Sequence, residues 1–193
     1  MRTIAIVTVI AAFLAAAPAA AQDNRPAWQG FHVEALVGLD HTIHQHGGGV
    51  VYGMGGGYDL QAGRMVLGID AEATDSTYTG CVVDVISAND RLCASPRREL
   101  SISLRAGILV SPNVLLYAKG GYANARFHVD YDDGTAAGTN NFNFSQNLDG
   151  VRVAGGGEFR VGRHAFMRVE GRYSNYKQGS GRGQVVSAIG FRF

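Results

Sequence analysis

The sequence predicts an all-β fold: eight antiparallel strands closed into a barrel that crosses a membrane. Three observations carry that reading. Eight segments of the chain alternate apolar and polar side chains with a period of two. The connectors between them alternate short and long. An export segment precedes them all. Arg2 supplies its positive n-region and Ile4 to Leu14 its apolar core. Pro18 then leads into Ala19-Ala20-Ala21, an A-x-A site that places cleavage before Gln22. The apolar run is too short and too rich in alanine for a spanning helix. Residues 1–21 are therefore expected to be a cleaved signal peptide, and residues 22–193 one barrel domain of roughly 170 residues.

The segments follow in order. The first, Phe31 to Asp40, sets Phe31, Val33, Ala35, Val37 and Leu39 against His32, Glu34, Leu36, Gly38 and Asp40. The second, Val50 to Asp59, is rich in glycine and carries Tyr52, Met54 and Tyr58 on one side. In the third, Met65 to Asp75, Leu67, Ile69, Ala71 and Ala73 oppose Gly68, Asp70 and Glu72. The fourth, Glu99 to Val110, opposes Leu100, Ile102 and Leu104 to Ser101, Ser103 and Arg105. The fifth runs from Val114 to about Phe127, with Leu116, Ala118 and Tyr122 opposite Tyr117 and Lys119. Val151 to Val161 alternates Val151, Val153 and Phe159 with Arg152 and Glu158. Ala165 to Asn175 alternates Met167, Val169 and Tyr173 with Arg168, Glu170 and Arg172. The last, Gln184 to Phe193, sets Val185, Ile189, Phe191 and Phe193 against Ala188, Gly190 and Arg192.

Each segment is about ten residues long, the length a tilted strand needs to cross a hydrocarbon core. Short connectors (Gln61-Ala62-Gly63, Ser111-Pro112-Asn113 and Gly162-Arg163-His164) follow the second, fourth and sixth segments. The other connectors are longer and polar. That asymmetry belongs to barrels with short turns on the periplasmic side and longer loops outside. A soluble barrel of the lipocalin type would show the same alternation turned inside out. Its exterior would have to be continuously polar. The polar face here is sparse, mixing Gly, Ala and Ser with opposite charges, which suits a narrow lumen filled by side chains.

Composition narrows the function. The chain has 17 Lys and Arg against 16 Asp and Glu, and loss of Arg2 with the signal would balance them. No electrostatic case exists for nucleic acid. The 27 glycines are about twice the usual share and lie within alternating segments, where they permit bends and close backbone approach. Cys81 and Cys93 in an exported chain read as a disulfide restraining a long connector, since no further ligands suggest a metal site beside them. The terminal Phe193, with Phe191 and Ile189 on one face, looks like the recognition strand that outer-membrane proteins present to their assembly machinery.

The whole mature chain resembles the small outer-membrane β-barrel family that includes opacity-type proteins and surface antigens, related to the OmpA membrane domain. The resemblance lies in Trp28-Gln29-Gly30-Phe31, Gly57-Tyr58-Asp59 and the run from Leu116 to Tyr122. Glu170-Gly171-Arg172-Tyr173-Ser174 and Gly190-Phe191-Arg192-Phe193 complete it. It implies residence in the Gram-negative outer membrane, and it is nearly silent on activity.

Chemistry has four places to hide. The projected lumen face carries Glu34, Asp70, Glu72, Arg105, Lys119, Arg152, Glu158, Arg168, Glu170, Arg172 and Arg192. Such charges must pair, as a salt-bridged plug or as an ion pathway, and eight strands leave little bore for a pathway. His41, His44 and His46 in the first long connector are candidate ligands for a transition metal or haem at the cell surface. Arg172-Tyr173-Ser174-Asn175 resembles the His-x-Ser-Asn stretch of lipid A deacylases, but the histidine position is Arg172, whose guanidinium cannot act as a base. Finally, the connectors from Ser76 to Arg98 and from His128 to Asp149 are natural contact surfaces on a rigid scaffold. The expectation is a non-enzymatic barrel without a cofactor, contributing to envelope integrity and surface interaction. Its expected partners are membrane lipid, lipopolysaccharide, the assembly machinery and surface or host ligands. The alternatives are metal or haem binding and lipid A hydrolysis.

Overall fold

A computed structural model describes residues 26–42, 48–84, 90–135, 140–177 and 180–193. The expected signal peptide lies outside the described residues. Among the described residues nine strands form: β1 (Gly30–Thr42), β2 (Gly48–Ala62), β3 (Met65–Ser76), β4 (Gly80–Val83), β5 (Arg91–Ser111), β6 (Val114–Asp132), β7 (Phe142–Val161), β8 (Ala165–Tyr176) and β9 (Ser180–Arg192). They hydrogen-bond in the order β3-β2-β1-β9-β8-β7-β6-β5-β4, and β3 also pairs with β5. That extra pairing closes eight antiparallel strands into a barrel and leaves β4 as a short addition to β5. Closure removes the sheet edges that an aqueous or lipid environment would leave unpaired.

The eight segments read from alternation become the eight barrel strands, and parity settles which face looks inward. Along β1, His32, Glu34, Leu36 and Asp40 are buried, while Phe31 is 66% and Leu39 69% exposed. Leu104 at the middle of β5 is 70% exposed, directly beside the buried Ser103 and Arg105. The apolar face is therefore the outside, as lipid demands and water forbids, and the inside-out soluble alternative is excluded. The outward positions from Phe31 to Leu39 span about 20 Å along the barrel axis at ordinary strand rise and tilt, close to the height of a hydrocarbon band. Phe31 packs edge-to-face on Tyr58 at a centroid distance of 4.7 Å near the turn end, and Tyr52, Tyr122 and Tyr173 face outward nearer the loop end.

Turns of two or three residues join β2 to β3, β5 to β6 and β7 to β8 at one end. Gly63 and Gly162 adopt φ of +60° and +85° there, which a side chain would strain. The segment before β1 closes this end of the bore. Trp28 is fully buried against Val66, Leu109, Leu115 and Tyr117, and its indole N–H donates to the Pro112 carbonyl at 3.1 Å. Ile189, Phe191 and Phe193 lie on the outward face of β9 and its end, against β1 where the barrel closes.

Two expectations need correction. The stretches Ser76 to Arg98 and His128 to Asp149 are not simple loops. β5, β6 and β7 run 21, 19 and 20 residues, well past the apolar band, and β4 adds to them. Backbone pairing continues there without an apolar outer face, so the polar composition concealed it.

Candidate functional site: the charged lumen and the projecting ribbon

Alternation turns every second residue of each strand into the bore, and at three levels the inward residues are charged. Nearest the turns, four residues from four strands form a closed ring. Arg105 donates to Asp59 at 3.2 Å and also to Glu158, while Arg192 donates to Asp59 and Glu158 at 2.8 and 2.9 Å. Arg105 also lies 4.2 Å from the centre of the Tyr117 ring. His32 sits just above, 3.0 Å from Asp70 and 3.5 Å from Asp59.

At mid-height Glu34, Asp70, Glu72 and Glu170 meet Lys119, Arg168 and Arg172. Arg168 reaches from β8 to Glu34 on β1 and, at 3.2 Å, to Glu72 on β3. Lys119 lies 3.2 Å from both Glu72 and Glu170, and Arg172 lies 2.6 Å from Glu72. The Tyr117 hydroxyl donates to Glu170 at 2.8 Å.

The third level lies toward the loops. Arg182 donates to Asp40 at 2.8 Å and to Glu99 at 2.9 Å. Arg152 pairs with Glu99 and donates to Ser174 Oγ at 2.9 Å and Ser101 Oγ at 3.2 Å. Ser76 and Tyr176 donate to Asp40 and Glu99 in turn.

Across the three levels eight buried carboxylates (Glu34, Asp40, Asp59, Asp70, Glu72, Glu99, Glu158, Glu170) face seven buried Arg and Lys side chains and His32. All eleven charges expected on the lumen face are buried, and all belong to this lattice. His32, Asp40, Asp59, Glu99 and Arg182 were missed. His32 and Asp40 belong to the polar face of the first segment, and Asp59 and Glu99 are the end residues of the second and fourth, so the same alternation followed to the segment ends is the signal for all four. Arg182 lies two residues before the last segment, and extending that alternation reaches it. Side chains from opposite walls meet at every level, which describes a filled bore.

Ser174 is buried in this lattice, and its hydroxyl meets Arg152. His128 instead contacts Ser145 and Asp130, and His164 contacts the Arg192 carbonyl. Neither stands beside Ser174 as a base. His41 is exposed at the end of β1, and His44 and His46 lie outside the described residues. Among the described residues no group of three His, Cys, Asp or Glu side chains is arranged to hold a metal ion.

Above the barrel, β4 to β7 continue as a four-stranded ribbon. Cys81 and Cys93 are direct cross-strand partners on β4 and β5 and are joined by a disulfide. One face of the ribbon carries Val82, Leu92, Val129, Tyr131, Phe142 and Phe144. Tyr131 stacks on Phe142 at 4.9 Å, yet Phe142 and Phe144 are each 47% exposed. Residues 142–148 of β7 pair with β6 alone, because the β7–β8 pairing begins at Gly150. Between β6 and β7, Asp133 accepts from the hydroxyl and backbone N–H of Thr135 and from Asn140 N–H, and these bonds hold its carboxyl below the usual range.

Solved structures of the same build include β-barrels of bacterial proteins. Ail, the attachment invasion locus protein of Yersinia pestis, superposes with a TM-score of 0.56 at 10% identity, over 86% of this chain and 99% of Ail. Neisserial surface protein A gives 0.53 at 15% identity, over 85% and 97%. The N-terminal barrel domain of Pseudomonas aeruginosa OprF gives 0.50 at 15% identity, over 86% and 98%. No curated protein matches at the sequence level. The model of the outer membrane protein beta-barrel domain, however, matches residues 7–193, nearly the whole chain. The closed barrel with its apolar face outward agrees with that match, and this chain belongs to the family: it is an outer-membrane β-barrel protein.

Proposed function

We propose that this protein is a non-enzymatic barrel that anchors a rigid projecting ribbon for surface interaction and so contributes to the cell envelope. The observation that carries the proposal is the ribbon itself. Three barrel strands and β4 extend beyond the apolar band with an exposed aromatic stripe and an open backbone edge at residues 142–148. Exposed aromatic surface and free N–H and C=O groups are what an extended segment of another protein uses when it adds to a sheet. The lumen lattice supports the same reading, since a bore bridged at three levels serves as a stiff mount. Ail is known in complex with the heparin analogue sucrose octasulfate, which supports the binding of external ligands by a barrel of this build.

The test is adhesion of cells displaying the barrel to immobilised extracellular protein, against a strain without it. Phe142→Ser with Phe144→Ser should bring adhesion down to the level of the strain without the barrel, with heat-modifiable gel migration unchanged. Adhesion that never exceeds that strain, or that survives the double substitution, would refute the proposal.

A further inference from the structure

We propose that Arg97, Arg98 and Arg126 form a docking site for the phosphorylated headgroup of a glycolipid in the outer leaflet. The site begins with a break in register. Pro96 pairs with Phe127 and Glu99 with Ala125, so two residues of β5, Arg97 and Arg98, oppose the single residue Arg126 of β6. A bulge of this kind interrupts alternation. Pro96 and Glu99 are both buried, and the two arginines between them are both exposed, as is Arg126. Three guanidinium groups are thereby gathered on one outward patch.

Among the described residues nothing neutralises them. Every Arg and Lys in the lumen is paired, but these three make no ion pair or hydrogen bond among the described residues. The neighbouring outward carboxylates are engaged elsewhere. Asp149 accepts from Asn124 at 2.9 Å and from Tyr122 and lies 3.8 Å from Lys177, Asp130 lies 3.2 Å from His128, and Asp75 accepts from Ser76 N–H at 2.7 Å. Like charges side by side on a sheet repel, so the patch gains from an external anion.

Height and direction identify that anion. The outward column of β5 runs Leu104, Ile102, Leu100 and then the arginines, and that of β6 runs from Leu116 through Tyr122 to Arg126. The patch faces away from the barrel wall, a step above the apolar belt, where lipid headgroups lie. Guanidinium forks match phosphate oxygens in pairs of hydrogen bonds, and the aliphatic stems can lie along the belt while the heads reach the interface. A polyanion approaching from outside would meet the ribbon tip first.

The experiment measures binding of bis-phosphorylated lipid A, in mixed micelles, to the refolded mature chain and to its Arg97→Gln, Arg98→Gln, Arg126→Gln triple variant. Saturable, salt-sensitive binding should weaken roughly ten-fold or more in the variant, and similarly when dephosphorylated lipid A replaces the probe. Heat-modifiable migration checks that the variant is folded, and Arg126→Gln alone, expected to weaken binding part of the way, serves if the triple is not. Equal binding by variant and parent, or indifference to the phosphates, would overturn the proposal. Heparin fragments that bind in an arginine-dependent way while lipid A does not would assign the patch to a sulfated polysaccharide and equally overturn it.

Discussion

The turn-end ring gives the sharpest test of the lumen lattice. Glu158→Gln removes one of the two carboxylates of the four-residue ring, leaving Asp59 between Arg105 and Arg192 with a surplus buried positive charge. Two charge-assisted contacts are lost, one to Arg105 and one of 2.9 Å to Arg192. At about 1.5–3 kcal/mol each, the loss is roughly 3–6 kcal/mol, which agrees with the usual cost of stranding one partner of a buried pair. Arg105→Met on the same background restores neutrality, because Asp59 and Arg192 still meet at 2.8 Å. The double variant should therefore recover most of the loss and sit within about 2 kcal/mol of the parent. The assay is urea unfolding of the barrel in detergent or vesicles, read from the fraction that migrates as the folded, unboiled band. With a slope near 2 kcal/mol per molar urea, the single variant's midpoint should fall by about 1.5–3 M. A fall below about 0.5 M, or a double variant as unstable as the two singles summed, would show that the ring is not a coupled buried unit.

Three further outcomes follow from the geometry. Leu104→Arg, at the centre of the outward face of β5, should destabilise the barrel in a bilayer by about 2–4 kcal/mol; an effect below 1 would contradict the lipid-facing assignment. Reducing the Cys81–Cys93 bond, which spans 12 residues, removes up to about 3 kcal/mol of loop restraint. The loss should appear as faster amide exchange in β4 and residues 91–96 while the barrel's unfolding midpoint stays put; a shifted midpoint would mean that ribbon and barrel unfold together. Because Thr135 and Asn140 hold the Asp133 carboxyl low, their turn is stabilised above about pH 4 and loses that support as the pH falls through the lowered native value. Opening of the Thr135 and Asn140 amides, measured relative to intrinsic exchange rates, should rise on acidification through that window and not on going to higher pH.

The barrel was legible because a membrane enforces a simple rule at every residue. Outward positions such as Leu67, Leu104 and Val169 must be apolar, and inward ones such as Asp70, Arg105 and Glu170 are free to be charged, so alternation survives in a single strand's sequence. The ribbon lacks that rule. Water lies on both its faces, and Asn141, Asn143, Ser145 and Asn147 alternate with Phe142, Phe144 and Gln146 in a pattern that reads equally well as a polar loop. Its strandedness is a property of pairing, Val129 against Phe144 or Cys81 against Cys93, which a linear reading cannot see. The lattice was half legible for a related reason. Sequence shows that Arg152 points inward, but only the strand order, with β5 and β7 on either side of β6, brings it to Glu99.

That contact also stands at the base of the ribbon. Glu99 on β5 and Arg152 on β7 sit at the lattice level nearest the ribbon, and Arg182 and Tyr176 close on the same carboxylate from β9 and β8. The strands that run on past the membrane are thus clamped to one another at their base through a single buried acid. Glu99→Gln and Glu158→Gln each remove a buried negative charge, but they lie at opposite ends of the bore. Both should lower global stability by a few kcal/mol, roughly the cost of stranding a buried cation. Only Glu99→Gln should loosen the ribbon below the global unfolding limit, seen as faster amide exchange at residues 91–96 and 142–148. Equal exchange in the two variants would mean that the ribbon's order is its own, set by its pairing and the disulfide, and that the lattice serves the barrel alone.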